Sequence, residues 1–97
     1  MDNEAISRVV KISSGIPGTI SVFGQLYGGR YAEATPILDF CEKHGLTGSA
    51  IWVWYKRECE ENLENLVKSF QDLETDLDLK RMNGNGKLLD YLKSQAN

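Results

Sequence analysis

The stretch "HGLTGSAIWVWYKREC", residues 44–59, carries both tryptophans of a 97-residue chain inside one apolar run. At 100° per residue, Ala50, Ile51, Trp54 and Tyr55 share one face of a helix, Val53 falls between Lys56 and Arg57, and Trp52 lies about 160° from Trp54. A helix that is apolar on nearly every side sits at the centre of a domain, or one of its faces is covered by something outside the fold. One small core is not expected to cover both indoles. Trp54, grouped with Ile51, is the expected core residue and Trp52 the expected interface residue, with Ser49 as the candidate N-cap.

Helical spacing recurs along the rest of the chain. Leu63, Leu66, Val67 and Phe70 fall at i, i+3, i+4 and i+7 with acids on the opposite face, which predicts an amphipathic helix over residues 60–71. "EAISRVVKISSG" sets Ala5, Ile6, Val9, Val10 and Ser13 at helical spacing before a Ser-Ser-Gly break. In "IPGTISVFGQLYGG", Pro17 suits a first helical position, Gly28-Gly29 marks a stop, and Gly24 is the expected close-packing position. "RYAEATPILDFCEKHG" predicts a helix starting between Tyr31 and Pro36, with Ile37, Leu38, Phe40 and Cys41 inward and Gly45 just past its end. An Asn-Gly-Asn-Gly turn then precedes Leu88, Leu89 and Leu92 on a last short helix. The expected fold is all-α, one small domain over residues 1–97 with five or six short helices around one core. The alternative is an α+β fold with an N-terminal hairpin over residues 7–23, because "RVVKIS" and "TISVF" are rich in β-branched residues and flank a Gly-Ile-Pro-Gly turn.

Composition limits what such a domain can be. With 41% hydrophobic and 26% charged residues, the chain resembles a small globular domain that folds alone with a modest margin, so a homodimer burying further apolar surface is within reach. No stretch approaches the roughly 20 apolar residues of a membrane span. The start "MDNEAISRVV" has two acids in its first four residues, the wrong pattern for a secretory signal, and a cytoplasmic protein is expected. Charge is segregated: residues 58–78 hold eight acids against Lys68, while residues 79–97 hold Lys80, Arg81, Lys87 and Lys93 against Asp90. The simplest account sets the basic tail near the acidic segment, with both as solvated faces.

Several chemistries lack their residues. Cys41, Cys59 and the single His44 fall short of the four ligands of a structural zinc site, so no metal or other cofactor is expected, and two cysteines in a chain of this composition are expected to stay reduced. There is no Gly-x-Ser-x-Gly elbow, phosphate loop or dinucleotide fingerprint, and a non-catalytic protein is expected.

The most specific pattern is a helix-turn-helix over residues 37–57. Cys41, Gly45, Leu46, Ile51 and Trp54 occupy its small, turn and apolar positions. The face that would enter a DNA groove carries Thr47, Gly48, Ser49, Trp52, Val53 and Lys56, too apolar for base readout. A DNA-binding regulator is therefore the alternative function, with Lys56, Arg57, Lys80, Arg81 and Lys87 as its phosphate contacts. The leading expectation is protein–protein binding, to a partner or to a second copy. Its contact residues would be Trp52, Val53 and Lys56, together with Tyr27, Arg30 and Tyr31 of the "YGGRY" loop, because Trp, Tyr and Arg carry affinity at interfaces. Small acidic helical chains without catalytic residues are common among accessory proteins of phages and mobile elements that bind a host protein, and that is the expected setting.

Overall fold

A computed structural model describes residues 2–58, 62–78 and 84–96, the side chains of 76–78 and 84–87 excepted. The first helix, α1 (Asn3–Ser13), begins where its sequence supplies a cap: Asp2 Oδ1 accepts from Ala5 N at 2.8 Å, which satisfies one of the free amides of a helix start. It ends at Ser14 and Gly15, both in the left-handed region at φ 49 and 82. Pro17 then occupies the first turn of α2 (Pro17–Gly28), where its fixed φ fits and its missing N–H is not required. These two helices take up the segments that the hairpin alternative would have paired. Their β-branched residues lie at helical spacing, and burying Val9, Ile12, Thr19 and Val22 on one face of each helix outweighs their preference for strands.

The third helix, α3 (Ala34–His44), buries Ile37, Leu38, Phe40 and Cys41 as expected. Gly45 turns the chain at φ 70, and Leu46 N returns to Cys41 O at 2.9 Å. In α4 (Ser49–Glu58), Ser49 is the first helical residue, and Ala50 N donates to Thr47 O at 3.1 Å. The acidic amphipathic segment forms α5 (Leu63–Asp78), longer than its periodicity indicates, and α6 (Gly84–Ser94) closes the fold. Among the described residues there are six helices and no strand. None of these helices is long and apolar enough to cross a membrane.

Packing divides the helices around one contact. α2 packs against α1 and α3, α4 packs against α5 and α6, and α2 and α4 pack on each other. Trp54 is fully buried on the inner side of α4. Its ring centroid lies 6.5 Å from that of Phe40 of α3, which in turn meets Phe70 of α5 edge-on at 5.5 Å, a favoured aromatic geometry. Trp54 Nε1 donates to Ser69 Oγ at 3.0 Å, so the buried indole keeps its hydrogen bond.

Two backbone ties fix the α2–α4 contact. Gly48 N donates to Ile12 O at 2.7 Å and Thr19 Oγ1 donates to Gly48 O at 2.7 Å. The backbone N–H and C=O of buried Gly48 are thus satisfied by α1 and α2, and Thr19 itself is fully buried. One turn along, the six-membered ring of Trp52 lies directly over Gly18: a Cβ on Gly18 would come within 2.5 Å of it. Gly18 is therefore the close-packing glycine of α2. Gly24, expected in that role, is exposed and has nothing within 4 Å of a built Cβ.

The buried face of α1 is also rotated from its expected position. Ala5, Val9, Ile12 and Ser13 point inward, while Ile6 and Val10 are 45% and 55% exposed. On its far flank Arg8 reaches α3, donating through Nε to Glu42 at 3.2 Å and through Nη2 to Glu42 and Asp39. These carboxylates raise the already high Arg8 pKa further. The cluster is surface-exposed and is worth at most about 1 kcal/mol per pair.

The two glycines of α2 separate packing from helix propensity. Gly24→Ala is expected to stabilise the fold by about 0.5–1 kcal/mol, the helix-propensity gain at an open site. Gly18→Ala is expected to cost about 1–3 kcal/mol through overpacking and to shift tryptophan emission to the red as Trp52 is displaced. Thermal melts and emission spectra of the two variants check both; equal stabilisation by the two would show that Trp52 does not rest on Gly18.

Candidate functional site

The outer side of α4 gathers the aromatic and cationic groups. Trp52 is half-buried, its inner ring face on Gly18 and its neighbour Tyr55 stacked on it with centroids 5.5 Å apart at 17°. Lys56, one turn on, holds Nζ 5.6 Å above the Trp52 ring. Arg57 lies over Tyr91 of α6 at the same 5.6 Å, and Tyr91 is 44% exposed. Cations above aromatic faces are attracted to the ring quadrupole, by about 0.5–1 kcal/mol at exposed sites, and both lie in the last turn of α4, where the helix dipole favours positive charge. Val53, half-buried, falls between the two pairs.

Of the partner residues expected from the sequence, Trp52, Val53 and Lys56 thus form one surface. Tyr27, Arg30 and Tyr31 form another. They belong to the far end of α2, whose contact with Trp52 is at Gly18; eleven residues of helix, about 16 Å, separate Gly18 from Gly29. There, Tyr27 Oη shares a hydrogen bond with Thr35 Oγ1 at 2.8 Å, and the Tyr31 ring packs so closely on Gly29 that a Cβ would meet it at 2.8 Å. Tyr31 N donates to Leu26 O and Arg30 N to Tyr27 O, both at 3.1 Å, with Arg30 in the left-handed region at φ 59. "YGGRY" is a helix stop whose tyrosines pack locally and whose arginine is exposed.

Among the proposed phosphate contacts, Lys56 and Arg57 are exposed. Lys80 and Arg81 lie outside the described residues, as does the side chain of Lys87. The helix-turn-helix pattern is realised in its apolar positions, since Cys41, Leu46, Ile51 and Trp54 are all buried. The start of α4, which would face base edges, is instead tied to α1 and α2 through Gly48.

Cys41 is fully buried, and burial pushes its thiol well above the usual range, followed by the nearby Glu42 carboxylate. His44 packs on Phe40 with ring centroids 4.4 Å apart. No group of three or more His, Cys, Asp or Glu side chains converges among the described residues; Cys59 lies outside them. Tyr55, grouped by helical angle with Ala50, Ile51 and Trp54, is half-buried and stacks on Trp52, and Tyr91 and Gly18 are the members of the α4 surface that sequence reasoning did not assign. The Trp52–Lys56 spacing of four residues was a readable signal for one cation–aromatic pair, whereas Tyr91 reaches Arg57 only through the packing of α6 on α4.

No family model matches the chain, and no curated protein or solved structure matches it.

The His44 imidazole is held below its ordinary pKa of 6.5, first by burial and then by Lys93 and Lys43. A depressed folded-state pKa means that the unfolded chain takes up the proton more readily, so the stability from neutral His44 is present above pH 6.5 and is lost as pH falls through the folded-state value. His44→Gln is expected to flatten the fall in melting temperature on acidification from about pH 7.5 to pH 5.5; an unchanged slope would contradict it. Trp54→Ala is expected to cost about 3–5 kcal/mol, the usual range for an aromatic core truncation. Trp52→Ala, which removes a half-buried ring, is expected to cost clearly less, and equal losses in denaturant melts would make both indoles plain core.

Proposed function

We propose that this protein is a non-catalytic binding module that engages another protein, or a second copy of itself, through the outer edge of α4. The observation that carries the proposal is the held geometry of Trp52: its inner face is covered by Gly18, its flank by Tyr55, and its remaining surface faces solvent beneath Lys56. An aromatic fixed in this way loses little rotamer freedom on binding, which is what separates an affinity-bearing contact from an incidental exposed ring. The setting we propose, among the accessory proteins of phages or mobile elements, is an association with the small size and acidic composition of such chains. DNA binding is the second reading, favoured by the buried apolar pattern of the α3–turn–α4 unit. Against it stand the tie of Gly48 to α1 and α2 and the net charge of −3, which disfavour close approach to a phosphate backbone.

A photo-crosslinking residue at position 58, beside Arg57 at the end of α4, tests the site in cells. The expected result is a discrete protein adduct that is absent when the crosslinker sits at Glu4, exposed on α1, and is lost on Trp52→Ala in a variant that still folds. Adducts equal at the two positions, or a nucleic-acid adduct that forms at position 58 and fails to form when salt is raised in the lysate before irradiation, would overturn the proposal.

A further inference from the structure

The α4 edge has an order as well as a composition. Lys56 above Trp52 stands on one side, Arg57 above Tyr91 on the other, and Val53 lies between them. Each cation lies over a ring. Among the described residues Lys56 has no ion pair, and Arg57 meets only Glu58, Nε to Oε1 at 3.7 Å. A guanidinium lying over a ring keeps its Nη edge open for two parallel hydrogen bonds to a carboxylate. The ammonium of Lys56 offers a second, less directional charge, and the half-buried valine gives an apolar seat between them.

We propose that the partner contributes a short acid–apolar–acid segment, with one carboxylate on Arg57, one on Lys56 and an aliphatic or aromatic side chain on Val53 against the exposed edge of Trp52. The assignment rests on the α4 edge being the binding surface. A protein segment suits this strip better than a nucleic acid does. On α4 the positive charge is carried by Lys56 and Arg57, and α5, which packs on α4, carries exposed Glu64, Asp72 and Glu74 as well as exposed Lys68. Exposed acids on the neighbouring helix disfavour a long polyanion more than a short segment with two carboxylates.

A random 12-residue peptide display library selected on the full folded chain tests this directly. The expected outcome is enrichment of sequences in which an aliphatic or aromatic residue is flanked by Asp or Glu. Synthetic versions of the enriched peptides should lose at least tenfold in affinity on Lys56→Ala/Arg57→Ala, a surface change whose fold is checked by its thermal melt, and should weaken similarly when salt is raised from 50 to 300 mM, on the order expected for paired surface charges. They should also move the Trp52 indole and Val53 amide signals in nuclear magnetic resonance spectra. Enriched peptides that move these signals but are basic or uncharged would overturn the acidic specificity and leave the α4 edge standing as a site. Peptides that bind without moving them, or no enrichment at all, would overturn both. Tighter binding of a 12-mer of thymidylate than of any peptide, lost on the same double substitution, would assign the strip to nucleic acid instead.

Discussion

The contact between α2 and α4 sets how the two tryptophans are disposed, and it depends on a glycine. α1 and α3 pack on α2, and α5 and α6 pack on α4; the two groups of helices meet there and at the aromatic cluster of Phe40, Trp54 and Phe70. Gly18 lets the Trp52 ring lie against the α2 backbone, while the N–H and C=O of Gly48, bonded to Ile12 and Thr19, fix the angle at which α4 starts. A buried residue whose backbone donor and acceptor are both satisfied by other elements is costly to reposition. The rotation of α4 about its axis follows: Trp54 turns into the core toward Phe40 and Ser69, and Trp52 turns to the side, over Gly18.

That rotation also determines what the molecule displays. With Ala50, Ile51 and Trp54 inward, the remaining positions of α4 form an outer strip of Trp52, Lys56, Val53 and Arg57. Tyr55 and Tyr91 support it from the flanks. An all-round apolar helix therefore resolves into a buried half and a displayed half, and the displayed half carries charge as well as aromatic surface. Among the described residues, other exposed large apolar side chains are Ile6 and Val10, one turn apart on α1, and Ile20 of α2.

Helix content, the inward set of α3, the turn at Gly45 and the burial of Trp54 could all be read from periodicity, because each depends on residues within a few positions of one another. The rotation of α1 could not be read, since "EAISRVV" offers two overlapping apolar stripes and the one that is buried brings Arg8 to Asp39 and Glu42, more than thirty residues away. The same holds for the two glycines of α2: Gly18 and Gly24 look alike in sequence, and only the position of Trp52 distinguishes them. Within the site, Trp52, Val53 and Lys56 follow from helical angle alone. Tyr27 and Tyr31 lie at a helix stop, where the Tyr27 hydroxyl bonds Thr35 and the Tyr31 ring packs on Gly29, contacts that the composition of a glycine-rich loop does not specify.

The Trp52 ring covers Gly18, and proton nuclear magnetic resonance can observe this contact, because an α-proton beneath an indole face is shifted upfield by the ring current. Strongly upfield Gly18 α-protons with cross-relaxation to the six-membered ring of Trp52 are expected. Gly18 α-protons at ordinary helical positions, without cross-relaxation to that ring, would contradict it.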